Sequence, residues 1–242
     1  MKILNLGCGT KVSSRPEVVN IDWSMYLRLK KNPLLRLIVP LLLRGERLNH
    51  FNAIPENILV HNLGRGIPFE ADSIDVVYHS HFLEHLDRDV AKEFLLEVRR
   101  VLKPNGIQRI VVPDLEQACI DYLAHISQCK NDPAEVGKHE AYIAVLIEQS
   151  VRREAFGTSQ QKPLRRFFEN ILLGDARRRG ETHQWMYDRI NLSELLLSLG
   201  YLSPQVQKYN ASSIPDWNRF GLDLDEQGNE YKPGSLYVEV KK

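Results

Sequence analysis

The sequence predicts an α/β fold, a mostly parallel sheet flanked by helices and interrupted by two helical insertions. Three observations predict it. Short apolar runs recur at residues 2–6, 18–21, 58–61, 74–78, 107–112, 205–209 and 236–240, and the run at 74–78 is almost continuously apolar, as in strands buried on both faces. Amphipathic helical segments separate several of these runs, the alternation that builds parallel sheets. The first run passes directly into Gly7-Cys8-Gly9-Thr10, where closely spaced glycines let a backbone loop approach a ligand that side chains would exclude.

Composition sets the bounds. A chain of 242 residues with 43% hydrophobic and 26% charged residues can bury a real core, and its length suits one domain enlarged by insertions. Lys and Arg number 32 against 31 Asp and Glu, so a uniformly basic nucleic-acid coat is excluded and charge has to be read by segment. The three cysteines, Cys8, Cys119 and Cys129, are widely spaced and include no CxxC, which argues against a disulfide framework and a structural zinc site. No apolar segment follows Met1-Lys2 that resembles a signal peptide, and the most apolar stretch, residues 33–43, is too short to span a bilayer. The expected location is cytoplasmic, with peripheral contact to a membrane as an option considered below.

Taken in order, the strand at 18–21 ends at Asp22, only 15 residues after Gly7 and with Pro16 between, so any helix joining the first two strands is very short or absent. Residues 26–48 follow, apolar and basic, with Arg28, Lys30, Lys31, Arg36, Arg44 and Arg47 against Glu46. The third strand leads to Asn62-Leu63 and the fourth to His79-Ser80-His81, with Glu84 and His85 just beyond. The clearest helix runs over 88–102. Val90, Ala91, Phe94, Leu95, Val98, Val101 and Leu102 share one face, Asp87 can cap its start, and Lys103-Pro104-Asn105-Gly106 ends it. After the strand at 107–112, residues 115–189 read as mainly helical, and 152–179 hold eight basic and three acidic residues. A second amphipathic helix at 193–199 stops at Gly200 before the last two strands. Residues 24–56 and 115–189 are therefore expected to be insertions forming a lid or substrate-binding region within one domain spanning 1–242.

The glycine turn admits three readings: a plain tight turn, a dinucleotide site, or a site for a nucleoside cofactor. A dinucleotide site wants a third glycine, a regular helix to receive the pyrophosphate, and an acid about 20 residues on. Here the third glycine is missing and the acid arrives early. A cofactor without phosphate needs no helix terminus, and an acid on the second strand can still hold ribose hydroxyls.

At this point the sequence resembles the class I S-adenosylmethionine-dependent methyltransferases. LNLGCGT is similar to their first motif, NIDWS to the ribose-binding second strand, IPFEADSIDVVYHSHFLEHL to the fourth strand and its flanks, and EVRRVLKPNGIQRIVVPD to the helix, turn and strand that follow. The later HQWMYDRINLSELLLSLGY and YKPGSLYVEVKK resemble a subgroup associated with glycan or polysaccharide biosynthesis. The resemblance implies a Rossmann-like methyltransferase sheet of seven strands, mostly parallel with the last hairpin antiparallel, and S-adenosyl-L-methionine as cofactor. It implies that Gly7, Cys8 and Gly9 face the methionine part, Asp22 the ribose hydroxyls, Asn62 and Leu63 the adenine, and His79 and Ser80 the sulfonium and methyl group. Asn5 and Asn62 stand where many members carry acids.

An alcohol acceptor loses a proton on methylation, so a base near the end of strand four is useful. His81 is the leading candidate; His85 is an alternative that can equally serve as a structural hydrogen-bonding group, and His183 with Asp188 can form a base and its orienter or simply tie a lid to the core. His81 and His85 can share a helical face, but with no second ligand cluster nearby no metal site is expected. The expected reaction is O-methylation of a glycan, sugar or other small molecule. The competing readings are a membrane-surface protein docking through 26–48 and an RNA methyltransferase using Arg152-Arg153, Lys162, Arg165-Arg166 and Arg177-Arg178-Arg179 around Phe167-Phe168. Nucleic acid is the weaker of the two, because no Asn/Asp-Pro-Pro-aromatic tetrapeptide follows strand four. The sequence leaves the oligomeric state open.

Overall fold

The computed structural model describes residues 1–32, 46–149 and 182–242. Seven strands, β1 Ile3–Leu6, β2 Val18–Asp22, β3 Ile58–Val60, β4 Ile74–Ser80, β5 Leu102–Pro113, β6 Leu202–Gln207 and β7 Ser235–Lys241, form one sheet in the order β3-β2-β1-β4-β5-β7-β6. The five strands from β3 to β5 run parallel, while β7 is antiparallel to both β5 and β6. This is the seven-stranded, mostly parallel sheet that the resemblance implied, with the order reversing between β1 and β4, so a crevice opens at the carboxyl ends of those strands.

Helices described are α1 Met25–Lys31, α2 Glu46–Ala53, α3 Arg88–Val101, α4 Leu115–Asn131, α5 His139–Gln149 and α6 Arg189–Ser198. As the apolar period of 88–102 predicts, α3 buries Ala91, Phe94, Leu95, Val98 and Val101 on one sheet face, where α6 adds Leu192 and Leu196. Asp87 stands at the N-cap of α3, although its side chain makes no capping bond there. The Lys103–Gly106 segment forms an irregularity at the start of β5: the register passes from Ile74 opposite Leu102 to Val76 opposite Ile107. Asn105 takes a positive φ of 63° inside it. Strand β6 begins and ends earlier than the expected 205–209. Its pairing to β7 shifts between Leu202 and Gln205, where Ser203 has φ 51°.

No described helix joins β1 to β2, as the short Gly7-to-Asp22 spacing predicts. Side chains do the joining. Asn5 Nδ2 donates to Lys11 O (2.9 Å) and to Asn20 Oδ1 (3.0 Å), and Asn20 Nδ2 donates to Ser13 O (2.9 Å). Both asparagines are buried, so these bonds satisfy groups that would otherwise be costly to bury.

The second sheet face is covered by the segment 208–231, which holds one short 3-10 helix, Trp217–Phe220. Trp217, Phe220, Ile214 and Leu222 pack there on Ile3, Val76, Tyr78 and Tyr237. Beneath them lies Arg109, with none of its surface exposed. Its Nε donates to Asp223 Oδ2 (2.8 Å), Nη1 to Glu239 Oε1 (2.6 Å) and Nη2 to Lys208 O (2.9 Å). Tyr78 OH and Trp217 Nε1 also donate to Asp223, at 2.7 and 2.6 Å. Burial opposes the charge of Glu239, but bonds from Ser212 and Ser213 and the nearby guanidinium outweigh it and hold the carboxyl below its ordinary value of 4.5. A depressed carboxyl stabilises the fold above its unfolded pKa and loses that contribution as pH falls through the folded one. Thermal stability is therefore expected to fall progressively below pH 4.5, and Glu239→Gln to flatten that acid slope; an identical slope in the variant would contradict the assignment.

Residues on either side of 33–45 pack on the domain. Leu27 and Phe51 are buried with Cys8, Ile54 and Ile58, and Lys30 and Lys31 donate to backbone carbonyls of Asn52, Ile54 and Glu56. The apolar set Leu34–Leu43 and the basic set from Arg152 to Arg179 lie outside the described residues. Among described residues no helix is long and apolar enough to cross a membrane.

Candidate active site

The glycine loop turns because Gly7 and Gly9 take φ of 61° and 52°, a region costly for other residues. A Cβ on Gly7 would collide with the Phe82 ring, whereas one on Gly9 would meet nothing within 4 Å. The loop is therefore closed against Phe82, just after β4, on one side and open on the other. The open side is a cleft of about 210 Å³ lined by Gly7, Cys8, Gly9, Ser80, His81 and Lys232 among others. A larger depression of about 390 Å³, lined by residues of 210–219, shares none of these groups.

Asp22 touches the loop through one hydrogen bond. Gly9 N donates to Asp22 Oδ2 (2.7 Å) and Ser24 N to Asp22 Oδ1 (2.8 Å), so each oxygen holds one backbone donor and keeps acceptor capacity for a hydroxyl. Cys8 is buried, and burial followed by the Asp22 charge pushes its thiol far up, so it is a packing residue rather than a nucleophile. Asn62 and Leu63 stand outside the cleft wall. Asn62 Oδ1 accepts from Gly64 N (3.0 Å) at the start of a short 3-10 turn, and Leu63 packs on the main core.

Two expectations need correction. His79 does not face the sulfonium side: successive strand residues point to opposite faces, and with Ser80 and Tyr78 lining the cleft His79 is turned into the core. There it accepts from Gln108 Nε2 (2.9 Å) and packs on Phe82 and Phe94; burial lowers its pKa to about 3. Asp188 is not placed to orient a base. It caps α6, accepting from Ile190 N and Asn191 N (2.8 and 2.9 Å) while Asn191 Oδ1 accepts from Asp188 N, a reciprocal capping box.

The structure brings His81, His85 and His183 around Glu84, a residue the sequence reading noted in the cluster but gave no role. Glu84 is 1% exposed, and neither carboxyl oxygen has a hydrogen-bond partner. His81 Nδ1 lies 3.4 Å and His85 Nε2 3.8 Å from its Oε1, and the His183 ring meets that of His85 edge-on at 4.8 Å. Burial pushes the Glu84 carboxyl up to about 8; burial first, then the nearby Lys232 and His183, lower His81 to about 3, and burial with His183 lowers His85 to about 4. His183 reaches this point because the chain re-enters beside β5, with a parallel bridge between Asp114 and Tyr187 and with Gln184 N donating to Glu84 O (2.7 Å). Sequence reasoning also missed Lys232 and Ser235, whose signal was the Pro233-Gly234 turn before β7.

A second cluster, His125, Cys129 and His139, lies on α4 and at the start of α5. Its imidazoles are within 10° of coplanar, and the 5.3 Å between centroids equals the 3.0 Å Nδ1–Nδ1 contact plus the two ring radii. The nitrogens thus point straight at each other, the arrangement of one N–H···N hydrogen bond rather than of a shared metal.

The family model described as a methyltransferase domain matches residues 43–110. Its described residues run from α2 through β3, β4 and α3 into β5. Over these residues the chain is similar to a methyltransferase domain, and it is an enzyme with S-adenosylmethionine as its methyl donor. Among curated proteins no match is found. Solved structures similar to it include a SAM-dependent methyltransferase of Archaeoglobus fulgidus (14% identity, 100% of this chain and 86% of that one, TM-score 0.44). A DhpI–SAH complex is similar at 15% identity over 99% of this chain and 75% of that one, with TM-score 0.47. A methyltransferase of Mesorhizobium loti is similar at 14% identity, 100% and 90% coverage and TM-score 0.43. Likeness at this level carries no information about the acceptor.

Proposed function

We propose that the chain methylates an oxygen of a small-molecule or glycan acceptor, bound at the end of β4 over the His81 side of the cleft. One observation carries this reading: the glycine-loop cleft and the imidazole cluster adjoin at His81, so a methyl-donor site and a proton-handling site share a wall. The segment after β4 reads Ser80-His81-Phe82-Leu83 and so lacks the tetrapeptide that amine-methylating nucleic-acid enzymes place there. The glycan class is supported by the resemblance of the segments at 183–201 and 231–242.

When bound, S-adenosylmethionine supplies a methyl group already activated on a sulfonium. The residues fit such a group: the open face of Gly9 leaves room, Asp22 keeps lone pairs for ribose hydroxyls, and no helix N-terminus calls for a phosphate. Gly7 to Gly9 and Ser80 would hold the donor. His81 would position the acceptor oxygen, its own ring fixed by Ser235. Because in-line displacement needs the reactants held about 3–3.5 Å apart and water excluded, positioning supplies much of the catalysis. The first insertion and residues 115–189 would cover the acceptor.

Incubating the full chain with S-adenosylmethionine and hydroxyl-bearing sugars or lipid-linked saccharides, with amines as controls, is expected to release S-adenosylhomocysteine on the hydroxyl acceptors alone. Turnover confined to amines or RNA would overturn the reading. In His81→Ala, turnover is expected to fall about 10²-fold while cofactor affinity stays near that of the parent. Equal turnover would remove His81 from the site. The membrane-surface reading gains no support from the described part of 26–48, whose apolar residues pack inward.

A further inference from the structure

The geometry points to a divalent-cation site of the zinc type formed by Glu84, His85 and His183, on the acceptor side of the proposed methyl-transfer cleft. The three residues bring one ligand atom each to within 4.8 Å of one another. They come from the turn after β4 and from the return of the second insertion. The sequence offered no second cluster beside His81 and His85; the fold supplies it in His183.

The argument rests on where the protons must be. His85 Nδ1 faces the Thr182 carbonyl oxygen at 3.3 Å, and a carbonyl can only accept, so Nδ1 carries the hydrogen and Nε2 is bare. That bare nitrogen is the atom 3.8 Å from Glu84 Oε1. His81 obeys the same logic. Ser235 Oγ donates to Lys232 O (2.7 Å), so it accepts from His81 Nε2–H (2.8 Å), which leaves His81 Nδ1 bare and 3.4 Å from the same carboxyl oxygen. Two lone pairs therefore face one buried carboxyl whose oxygens have no hydrogen-bond partner. A proton on Glu84 can serve one of them. A cation held by Glu84, His85 and His183 takes the carboxylate and the His85 lone pair together.

The spacing agrees. Metal–nitrogen and metal–oxygen bonds of about 2.0–2.2 Å put neighbouring ligand atoms about 3.3–3.8 Å apart for angles from tetrahedral to somewhat wider. The 3.8 Å between His85 Nε2 and Glu84 Oε1 falls in this range and is too long for a strong hydrogen bond, and a ligand atom of His183 lies within 4.8 Å of both. The Thr182 carbonyl on His85 Nδ1 is the outer contact that fixes the tautomer of a metal-binding imidazole. Two imidazoles and a carboxylate leave a coordination position open, as catalytic zinc sites do, and an acceptor hydroxyl there would lose its proton more readily. This last role rests on the function proposed above; the site itself does not.

The test is zinc binding by the purified full chain, stripped with chelator and titrated by calorimetry with zinc alone, with cobalt absorption reporting coordination geometry. One equivalent is expected, and Glu84→Gln, His85→Ala and the half-buried His183→Ala should each weaken binding by about 100-fold or more. Cys129→Ser and His125→Ala should leave it unchanged. Absence of stoichiometric binding, or binding lost in Cys129→Ser but kept in His183→Ala, would overturn the proposal. Folding of each variant is checked by cofactor affinity, expected to match the parent. Zinc bound by a chain that turns over no hydroxyl acceptor would sustain the metal site and count against the functional reading instead.

Discussion

Arg109→Ala is expected to lower folding stability by about 3–5 kcal/mol, the usual cost of removing one partner from a buried charged network. The guanidinium has no exposed surface, and its loss strands Asp223 and Glu239 among Trp217, Tyr237 and Tyr78. Three carbonyls, of Lys208, Tyr209 and Ala211, lose a donor at the same time. For a chain of this length the change corresponds to a fall of about 6–20 °C in melting temperature. Arg109→Lys should recover only part of it, because one ammonium cannot reproduce the fork that reaches both carboxylates and the 208–211 carbonyls. Circular dichroism melts decide this, and a loss below about 1 kcal/mol would mean that the network relaxes around the gap.

Asp22→Ala should weaken S-adenosylmethionine binding about 10- to 100-fold, since it deletes charge-assisted hydrogen bonds of about 1.5–3 kcal/mol. Asp22 also accepts from Gly9 N and Ser24 N, so the variant loosens the loop that would hold the donor. Asp22→Asn keeps an acceptor oxygen but no charge and should fall between the two. Calorimetry on folded variants measures all three affinities. Equal affinities would place the ribose elsewhere.

Most of the sheet was legible because its signals are local. The glycine turn, the short spacing to Asp22 and the apolar face of 88–102 each state a backbone geometry in a few residues, and the structure adopts all three. The period of two along β4 also implied that His79 and Ser80 face opposite sides, a signal present in the sequence and not applied to the site. What was not legible depends on long-range pairing. Strand alternation gives no sign that Arg109 binds Asp223, 114 residues away, under the 208–231 cover. Nor can spacing show that His183 returns to His85, because that approach is set by long-range backbone contacts, the bridge between Asp114 and Tyr187 and the bond from Gln184 N to Glu84 O. Asp188 looked catalytic for the reason that it caps: a carboxylate before an apolar period serves either purpose, and only the Ile190 and Asn191 amides distinguish them.

The same bridge has an evolutionary consequence. With Leu115 N donating to Tyr187 O (3.1 Å), the residues from 115 to 186 begin and end side by side at one edge of the core. Closing such a loop costs little more as it grows, about 0.6 kcal/mol for each doubling of length. Length changes between these ends therefore cost the closure little, whereas Thr182 to Tyr187, which reach Glu84, His85 and Leu115, stay tied to the core. If the segment covers the acceptor, as proposed above, changes within it would alter which acceptor is methylated and leave the glycine loop and Asp22 as they are.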